Sequence, residues 1–190
     1  MPLVGVLALQ GDFREHGRTL TRLGAEVREV RLPTDLAGLD AIVIPGGEST
    51  TIGKLAVRFE LLEPLRRLIE GGLPTYGTCA GLIFLSVALT EGDQPLLGVL
   101  DVVVQRNAFG RQNESFEASL DIEGLGAPFH GVFIRAPWVS KVGSAVEVLA
   151  TVDEHPVMVR QHNILGTSFH PELTGDDRIH QMLIDSIPAE

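Results

Sequence analysis

The sequence predicts an α/β fold: a doubly wound, mostly parallel sheet flanked by helices, with an antiparallel elaboration in its second half. Up to residue 88, short apolar and β-branched runs alternate with amphipathic segments, which is typical of a parallel sheet covered by helices on both faces. From residue 97 to 169, closely spaced strand-like runs replace the helical periods. The 190 residues contain no repeat or linker-like stretch, so we expect one domain spanning residues 1–190.

The first half is predicted to alternate strands with helices. Short apolar runs predict strands at 4–9, 26–32, 40–44 and 73–78. Apolar residues at helical spacing predict helices at 12–23, 50–57, 61–71 and 80–88, and a final helix at 175–187. Ligands of doubly wound sheets lie beyond the carboxyl ends of the strands. We therefore expect the functional site at the loops 10–12 and 45–50 and at the turn containing Cys79.

Composition and charge exclude several classes of function. The formal net charge of −10 argues against nucleic acid and anionic membranes as partners, because both require a basic face. No apolar run reaches the roughly 18 residues of a membrane span. One cysteine cannot form an internal disulfide, so nothing indicates an oxidising compartment, and we expect a cytoplasmic protein.

The strongest local motif is Gly77-Thr78-Cys79-Ala80-Gly81, a Gly-x-nucleophile-x-Gly pattern at the passage from a strand to a helix. Such a sharp turn exposes the nucleophile above the sheet, and glycines two positions to either side avoid Cβ clashes between strand and helix. A sulfur at a helix start favours the thiolate, and the Ala80 N–H would face an oxyanion. The alternative is a buried structural cysteine between turn glycines. We favour the nucleophile.

A nucleophile requires a base and a group that orients the base. His170 and Glu172, separated by a proline, supply both, because Pro171 disfavours a helical His170 and residues two apart in an extended segment share a face. The other five histidines are interpreted as surface or loop residues: His16, His130, His155, His162 and His180. None of the six histidines pairs with Cys79 at a metal-ligand spacing, so we expect no metal site.

The loop Pro45-Gly46-Gly47-Glu48-Ser49-Thr50 permits three interpretations. Its two glycines allow backbone N–H groups to approach an oxyanion or phosphate. A phosphate loop would use the following Gly53-Lys54, but the spacing is wrong and Leu55 stands where Ser or Thr should bind magnesium. The third interpretation is a tight turn in which Ser49 or Thr50 caps the next helix. The sequence leaves the choice between turn and site open.

Arg106 and Arg135 stand at predicted strand ends. Arginine is the usual bidentate partner of a carboxylate, so each could hold an acidic substrate group. A solvated surface arginine is the simpler interpretation of either one alone.

Taken together, these segments resemble the class I, or triad, glutamine amidotransferases, and in particular the glutaminase subunits of pyridoxal 5′-phosphate synthase. The segments that carry the resemblance are LALQGD (7–12), PGGESTT (45–51), GTCAG (77–81), RN (106–107), FGRQ (109–112), SFE (115–117), IRAP (134–137) and FHPELT (169–174). The resemblance extends from end to end. The Gly-x-Cys-x-Gly motif alone would indicate only the superfamily.

The resemblance implies a Cys79–His170–Glu172 triad that hydrolyses L-glutamine without a metal or organic cofactor. It implies oxyanion donors near Gly47 and Ala80. The implied glutamine contacts are Gly46, Gly47, Glu48, Ser49, Arg106, Ile134 and Arg135.

The resemblance also implies a partner, a synthase (lyase) subunit that receives the ammonia, in a complex of twelve plus twelve subunits. Two alternatives stay open. The chain could be the glutaminase subunit of another synthase, such as the one for imidazole glycerol phosphate, although the Gly-Gly-Glu-Ser-Thr loop disfavours this. It could also be an inactive amidotransferase-like binding module, which an intact triad disfavours.

Overall fold

The computed structural model describes residues 1–109 and 115–189. In chain order the strands are β1 (Leu3–Leu7), β2 (Glu26–Val30), β3 (Ala41–Ile44), β4 (Thr75–Thr78), β5 (Ser86–Leu89), β6 (Leu100–Gln105), β7 (Ser115–Leu120), β8 (Phe129–Ile134), β9 (Trp138–Val142), β10 (Glu147–Val152), β11 (His155–Gln161) and β12 (Ile164–Thr167). The helices are α1 (Phe13–Arg22), α2 (Ser49–Arg58), α3 (Leu62–Glu70), α4 (Ala80–Leu85) and α5 (Arg178–Asp185). Three residues of one resemblance motif, Gly110, Arg111 and Gln112, lie outside the described residues.

The main sheet has the strand order β10-β11-β12-β4-β3-β1-β2 within the described ranges. The five strands from β12 to β2 run parallel, and β10 and β11 extend the sheet with antiparallel pairs. Smaller sheets are formed by β5-β6-β9 and by β7-β8. The predicted fold class is confirmed. One detail differs: β12 belongs to the segment expected to be antiparallel or peripheral, yet it lies inside the main sheet, parallel to β4.

Both faces of the main sheet are covered by other elements, and the alternating directions of the β3 side chains show this. Ile42 and Ile44 point into one apolar cluster, which also contains residues of α2, α3 and α4. Ala41 and Val43 point into a second cluster, with residues of α1, α5 and β8. Successive side chains of a strand point to opposite faces. A fully apolar strand therefore fits a sheet with helices on both sides.

The helix predicted over 80–88 is wrong at its end. Helix α4 stops at Leu85, and Ser86–Leu89 forms β5, which pairs with β6. The run Leu82–Leu85 is wholly buried, so its apolar pattern has no polar face that could mark where the helical period ends. The other predicted elements occur with ends shifted by at most three residues. In the described part of the chain, no helix is both long and apolar enough to span a membrane.

Candidate active site

The turn between β4 and α4 holds Cys79 in a backbone conformation that L-residues rarely adopt. Its φ is 51° and its ψ is −104°. A Cβ on Gly81 would lie 2.0 Å from the carbonyl oxygen of Ile44, and a Cβ on Gly77 would lie 2.8 Å from the backbone of Gly81. The close approach of strand and helix therefore excludes side chains at both glycines, as the sequence predicted for a nucleophile elbow.

The parallel position of β12 brings His170 to the elbow. The Cys79 N–H donates to the carbonyl oxygen of Thr167, the last residue of β12, at 2.7 Å. The chain then continues through a short connection to His170, whose own N–H donates to Val132 on β8 at 2.9 Å. His170 is held between the main sheet and β8, and its side chain lines the same cleft as Cys79.

His170 Nδ1 lies 2.6 Å from Oε1 of Glu172, and both side chains are buried. The contact was predicted, but the reason given for it was wrong. Only His170 has a non-helical conformation; Pro171–Leu173 forms a 3-10 helix rather than an extended segment. Proline fits the first turn of such a helix because it needs no N–H donor there. The turn directs the Glu172 carboxylate back toward Nδ1 of the His170 imidazole.

Electrostatics favour the protonated form of His170. Burial alone would lower the pKa of His170, but hydrogen bonds with Cys79 and Glu172 and the charges of both groups outweigh it. The pKa rises from 6.5 to about 10. A protonated imidazole held by a carboxylate beside a cysteine is an arrangement that can activate a thiol as a nucleophile.

The loop after β3 is packed tightly against the loop after β1. The Gly46 carbonyl oxygen accepts the Asp12 N–H at 3.1 Å, and a Cβ on Gly11 would lie 1.8 Å from that oxygen. Gly47 has a φ of 152°, in the range that favours glycine. The Glu48 N–H donates to Oε1 of Gln10 at 2.7 Å. One side-chain amide therefore fixes the orientation of this backbone segment.

Glu48 is the N-cap of α2, so neither Ser49 nor Thr50 caps this helix, contrary to one of the three open interpretations of the loop. The Glu48 carboxylate accepts the N–H groups of Thr50 at 3.1 Å and Thr51 at 2.7 Å. Burial would raise the pKa of Glu48, but hydrogen bonds from the Thr51 hydroxyl and from these two N–H groups lower it to about 2. Gly53 lies inside α2, where a Cβ would meet the Pro95 backbone, so the Gly53-Lys54 pair does not form a phosphate loop.

A cleft of about 480 Å³ opens beside Cys79 and His170. Most of the predicted glutamine contacts line it: Gly47, Glu48, Ser49, Ala80, Arg106, Ile134 and Arg135. Gly46 and Glu172 lie behind the lining. A Cβ on Gly46 would lie 2.6 Å from Cε1 of His170, so this glycine makes room for the imidazole. The three loops expected to carry function, at 10–12, 45–50 and Cys79, all contribute to one cleft.

Several residues of the site were given no individual role by the sequence, although Gln10 and Asp12 belong to the loop 10–12 that was expected there. Gln10, Asp12, Ile83 and Asn107 also line the cleft. The buried Gln94 orients one wall, because its Oε1 accepts from Arg106 at 3.0 Å and from Thr50 Oγ1 at 3.1 Å. Burial raises the pKa of Asp12. Nothing in the local sequence marks Gln94, since its partners come from α2 and the end of β6.

The prediction that His16 and His180 are surface residues was wrong, because both are fully buried. Each lies on the inward face of its helix, His16 four residues before the buried Leu20 and His180 three before the buried Leu183. That spacing was a usable signal. His130 and His162 are exposed and His155 is half-buried.

One group of side chains could also hold a metal ion. Ligand atoms of Asp12, His170 and Glu172 lie within 4.8 Å of one another. A metal there would have to displace Glu172 Oε1 from its hydrogen bond with His170 Nδ1. Asp12 Oδ2 lies 3.9 Å from the same nitrogen. The hydrogen-bonded arrangement accounts for these atoms without an ion.

Comparisons with known proteins identify the family of this chain. The model of the SNO glutamine amidotransferase family matches residues 6–188. A curated protein of Frankia alni, "Pyridoxal 5′-phosphate synthase subunit PdxT", is 59% identical over 98% of this chain and 95% of its own length. The protein of the same name from Thermus thermophilus is 59% identical over 96% of each chain. A solved structure described as a glutamine amidotransferase superimposes with a TM-score of 0.93 at 54% identity, over 97% of this chain and 98% of its own.

Proposed function

We propose, from the premise that the chain belongs to the SNO glutamine amidotransferase family, that it is the glutaminase subunit of a pyridoxal 5′-phosphate synthase. It hydrolyses L-glutamine to L-glutamate and delivers the ammonia to a synthase subunit. The observation that carries the proposal is the chain of contacts from Cys79 through His170 to Glu172, set at the edge of a cleft. Residues 1–190 act as a single amidotransferase domain.

In the proposed mechanism His170 holds the Cys79 proton, and the thiolate attacks the side-chain amide carbon of glutamine. The carbon–sulfur bond forms and the carbonyl oxygen becomes an oxyanion, which backbone N–H groups near Gly47 and Ala80 stabilise. The carbon–nitrogen bond then breaks, and protonated His170 gives its proton to the leaving ammonia. A water molecule, deprotonated by His170, hydrolyses the glutamyl thioester and releases glutamate and free Cys79. Glu172 keeps the imidazole oriented throughout.

The substrate contacts are part of the proposal. Arg106 and Arg135 are exposed on the cleft wall and can bind the α-carboxylate of glutamine. Gly46, Gly47, Glu48, Ser49 and Ile134 would shape the remainder of the site. The reaction needs no metal or organic cofactor, because proton transfer and charge stabilisation both come from this chain's own groups.

The assembly and its location are also proposed. The family resemblance supports a complex of twelve synthase and twelve glutaminase subunits. The cytoplasm is the proposed location, where a single cysteine stays reduced. The acidic net charge of −10 disfavours nucleic acid and anionic membranes as partners.

Glutamine hydrolysis by the purified chain, with and without an excess of the synthase subunit, tests the proposal. We expect equal amounts of glutamate and ammonia, unaffected by a chelator. Absence of both products when the synthase is present would leave the inactive binding module as the better interpretation. Formation of a stable complex with a different synthase would instead redirect the assignment within the glutaminases.

A further inference from the structure

A buried pair of histidines lies directly behind Glu172. His16 on α1 and His180 on α5 are both fully buried. His16 Nδ1 lies 2.8 Å from His180 Nε2, and His16 Nε2 lies 3.6 Å from Oε2 of Glu172. Glu172 therefore has one oxygen bonded to His170 and its other oxygen facing His16. The proposed mechanism assigns no role to either buried histidine.

Both buried histidines are neutral near pH 7. Burial lowers the pKa of His16 well below 6.5, with smaller contributions from His180 and His170. Burial also lowers the pKa of His180, to about 4. A neutral imidazole carries a single N–H, so each ring has one donor and one acceptor nitrogen. The positions of these two protons decide whether an N–H group or a nitrogen lone pair of His16 faces the Glu172 carboxylate.

Two arrangements satisfy the 2.8 Å bond. In the first, His180 Nε2–H donates to His16 Nδ1, and His16 Nε2–H points at the Glu172 carboxylate. In the second, His16 donates to His180, so a nitrogen lone pair faces Oε2 of Glu172 and His180 Nδ1–H is left as a buried donor. Neither His180 Nδ1 nor His16 Nε2 has a hydrogen-bond partner in the described part of the chain, but only His16 Nε2 faces a carboxylate oxygen, at 3.6 Å. Because a buried N–H is costly unless an acceptor lies near it, the first arrangement, which directs the free N–H at Glu172, is favoured.

We propose that His16, fixed in its Nε2–H tautomer by His180, is a positioning residue that holds the Glu172 carboxylate under His170. The inference rests on the proposed function and deepens it. At 3.6 Å the His16–Glu172 contact is slightly longer than a hydrogen bond. Hydrogen bonds of catalytic groups are often long without substrate and tighten in the substrate complex. The resulting order is His180, His16, Glu172, His170 and Cys79. The N–H groups of His180 and His16 donate toward Glu172 from one side, and the His170 Nδ1–H donates to it from the other.

The tautomer of His16 can be measured in the wild-type chain. Nitrogen-15 NMR of the imidazoles in the full chain, assigned with single histidine variants, reports which nitrogen of each ring carries the proton. We expect protonated Nε2 and unprotonated Nδ1 for His16 at pH 7. A proton on Nδ1 of His16 overturns the proposal, because no donor would then face Glu172.

A pair of polar substitutions tests the functional consequence in the presence of the synthase subunit. His16→Gln places an amide N–H near the Nε2 position, whereas His16→Asn is too short and reaches only the Nδ1 position. We expect His16→Asn to lower kcat by roughly 10- to 100-fold, in the range seen when a group that orients a catalytic ligand is lost. His16→Gln should recover most of that loss. KM should stay unchanged, since Glu172 lies behind the cleft lining.

Thr19→Val is the matched control. Thr19 is also buried on α1, and its hydroxyl accepts only from the Arg22 side chain in the described structure. It should alter thermal stability to a similar degree while leaving kcat unchanged. If His16→Asn and His16→Gln lose kcat equally, or if the loss follows thermal stability across all three variants, His16 is merely a core residue and the proposal fails. An inactive wild type would contradict the proposed function instead, and the tautomer measurement would still decide the geometry.

Discussion

Two neighbouring turns of the site depend on glycine for different physical reasons. At the elbow after β4, Gly77 and Gly81 have no side chain because backbone lies where their Cβ atoms would be. At the loop after β3, the Cβ of Gly47 would instead meet the end of a flexible side chain, Gln10, at 2.2 Å, and its φ is 152°. The first turn is rigid because it is packed between strand and helix. The second is fixed by backbone conformation and one side-chain hydrogen bond.

This difference suits the separate tasks of the two turns. A nucleophile has to be held within a fraction of an ångström of the reacting carbon. An oxyanion donor can be supplied or withdrawn by turning one peptide unit, and glycine allows either orientation at little steric cost. We therefore expect changes at the elbow to abolish chemistry or destabilise the fold. Changes at the Gly46–Gly47 loop should modulate the rate.

The largest expected effect is at the elbow nucleophile. Cys79→Ala should abolish hydrolysis while the fold is retained, because no other thiol is present in the sequence. Loss of a triad nucleophile costs about 10⁶ in kcat in a related system. Ammonia release measured with the synthase present checks this, and a diazo-ketone analogue of glutamine should label the wild type once and the variant not at all. Turnover within tenfold of wild type would falsify the assignment.

The next largest effects are at His170 and Glu172. His170→Asn should be more damaging than Glu172→Gln, because an amide oxygen can still accept the imidazole N–H at the 2.6 Å contact. Removal of an orienting acid can cost up to about 10⁴ in rate, so a large loss at Glu172 is allowed. Comparison of kcat for the two variants, each checked for folding by circular dichroism, is the measurement. A loss at Glu172 equal to or greater than that at His170 contradicts the orienting role.

Residue types and spacing predicted the elbow and its base, since both are local patterns. The two glycines around Cys79 follow from the steric needs of one turn, and His170 and Glu172 are only two residues apart. The burial of His16 and His180 depends instead on how α1 and α5 pack behind β4. Only a helical-face count, not the local sequence around either residue, could have indicated it.

The incorrect end of α4 and the capping of α2 by Glu48 have a similar origin. Ser86–Leu89 is a strand because β6 is available to pair with it, which is a contact distant in sequence. Glu48 caps α2 in place of Ser49 because its longer side chain reaches two N–H groups and the Thr51 hydroxyl at once. Propensity alone favours Ser at that position. Pairing with β6 decided the end of α4, and the reach of the Glu48 side chain decided the cap of α2.

The loop after β3 should account for the dependence on the partner. In the isolated chain the Glu48 N–H is engaged by Gln10. If docking of the synthase turns a peptide at Gly46-Gly47-Glu48 toward the substrate, the rate should rise by about 10²–10³, the usual value of one oxyanion donor. The measurement is ammonia release before and after addition of excess synthase, with Cys79→Ala as the background control. Full activity in isolation, with no stimulation, removes the basis for this switch.

The ionisation of His170 should set the alkaline limit of activity. Its pKa of about 10 means that the proton needed by leaving ammonia is present below that pH and is lost above it. We expect kcat/KM to decline above about pH 10, by up to tenfold per pH unit. The same raised pKa stabilises the fold below 6.5, and this contribution disappears as the pH rises through about 10. Glu172→Gln should move the alkaline limit downward; an unmoved limit, or one near pH 7 in the wild type, contradicts this account.

The smallest expected effect is a difference in Tm between alanine substitutions in the two glycine turns. Gly81→Ala forces backbone apart, because its Cβ would lie 2.0 Å from the Ile44 carbonyl oxygen. Overpacking of this kind costs roughly 1–3 kcal/mol, and about 1 kcal/mol shifts Tm by 2–4 °C in a domain of this size. Gly47→Ala meets the movable Gln10 side chain first, at 2.2 Å, and the Gly11 backbone only at 3.0 Å, but its positive φ should still weaken the oxyanion loop. We therefore expect Gly81→Ala to lower Tm more than Gly47→Ala. Gly47→Ala should reduce stimulation by the synthase, with a loss of Tm close to that of Gly175→Ala. Calorimetry together with the ammonia assay measures both, and Gly175→Ala controls for positive φ, because nothing surrounds its Cβ position. If Gly47→Ala lowers Tm as much as Gly81→Ala and leaves stimulation intact, the two turns do not differ in the way their packing indicates.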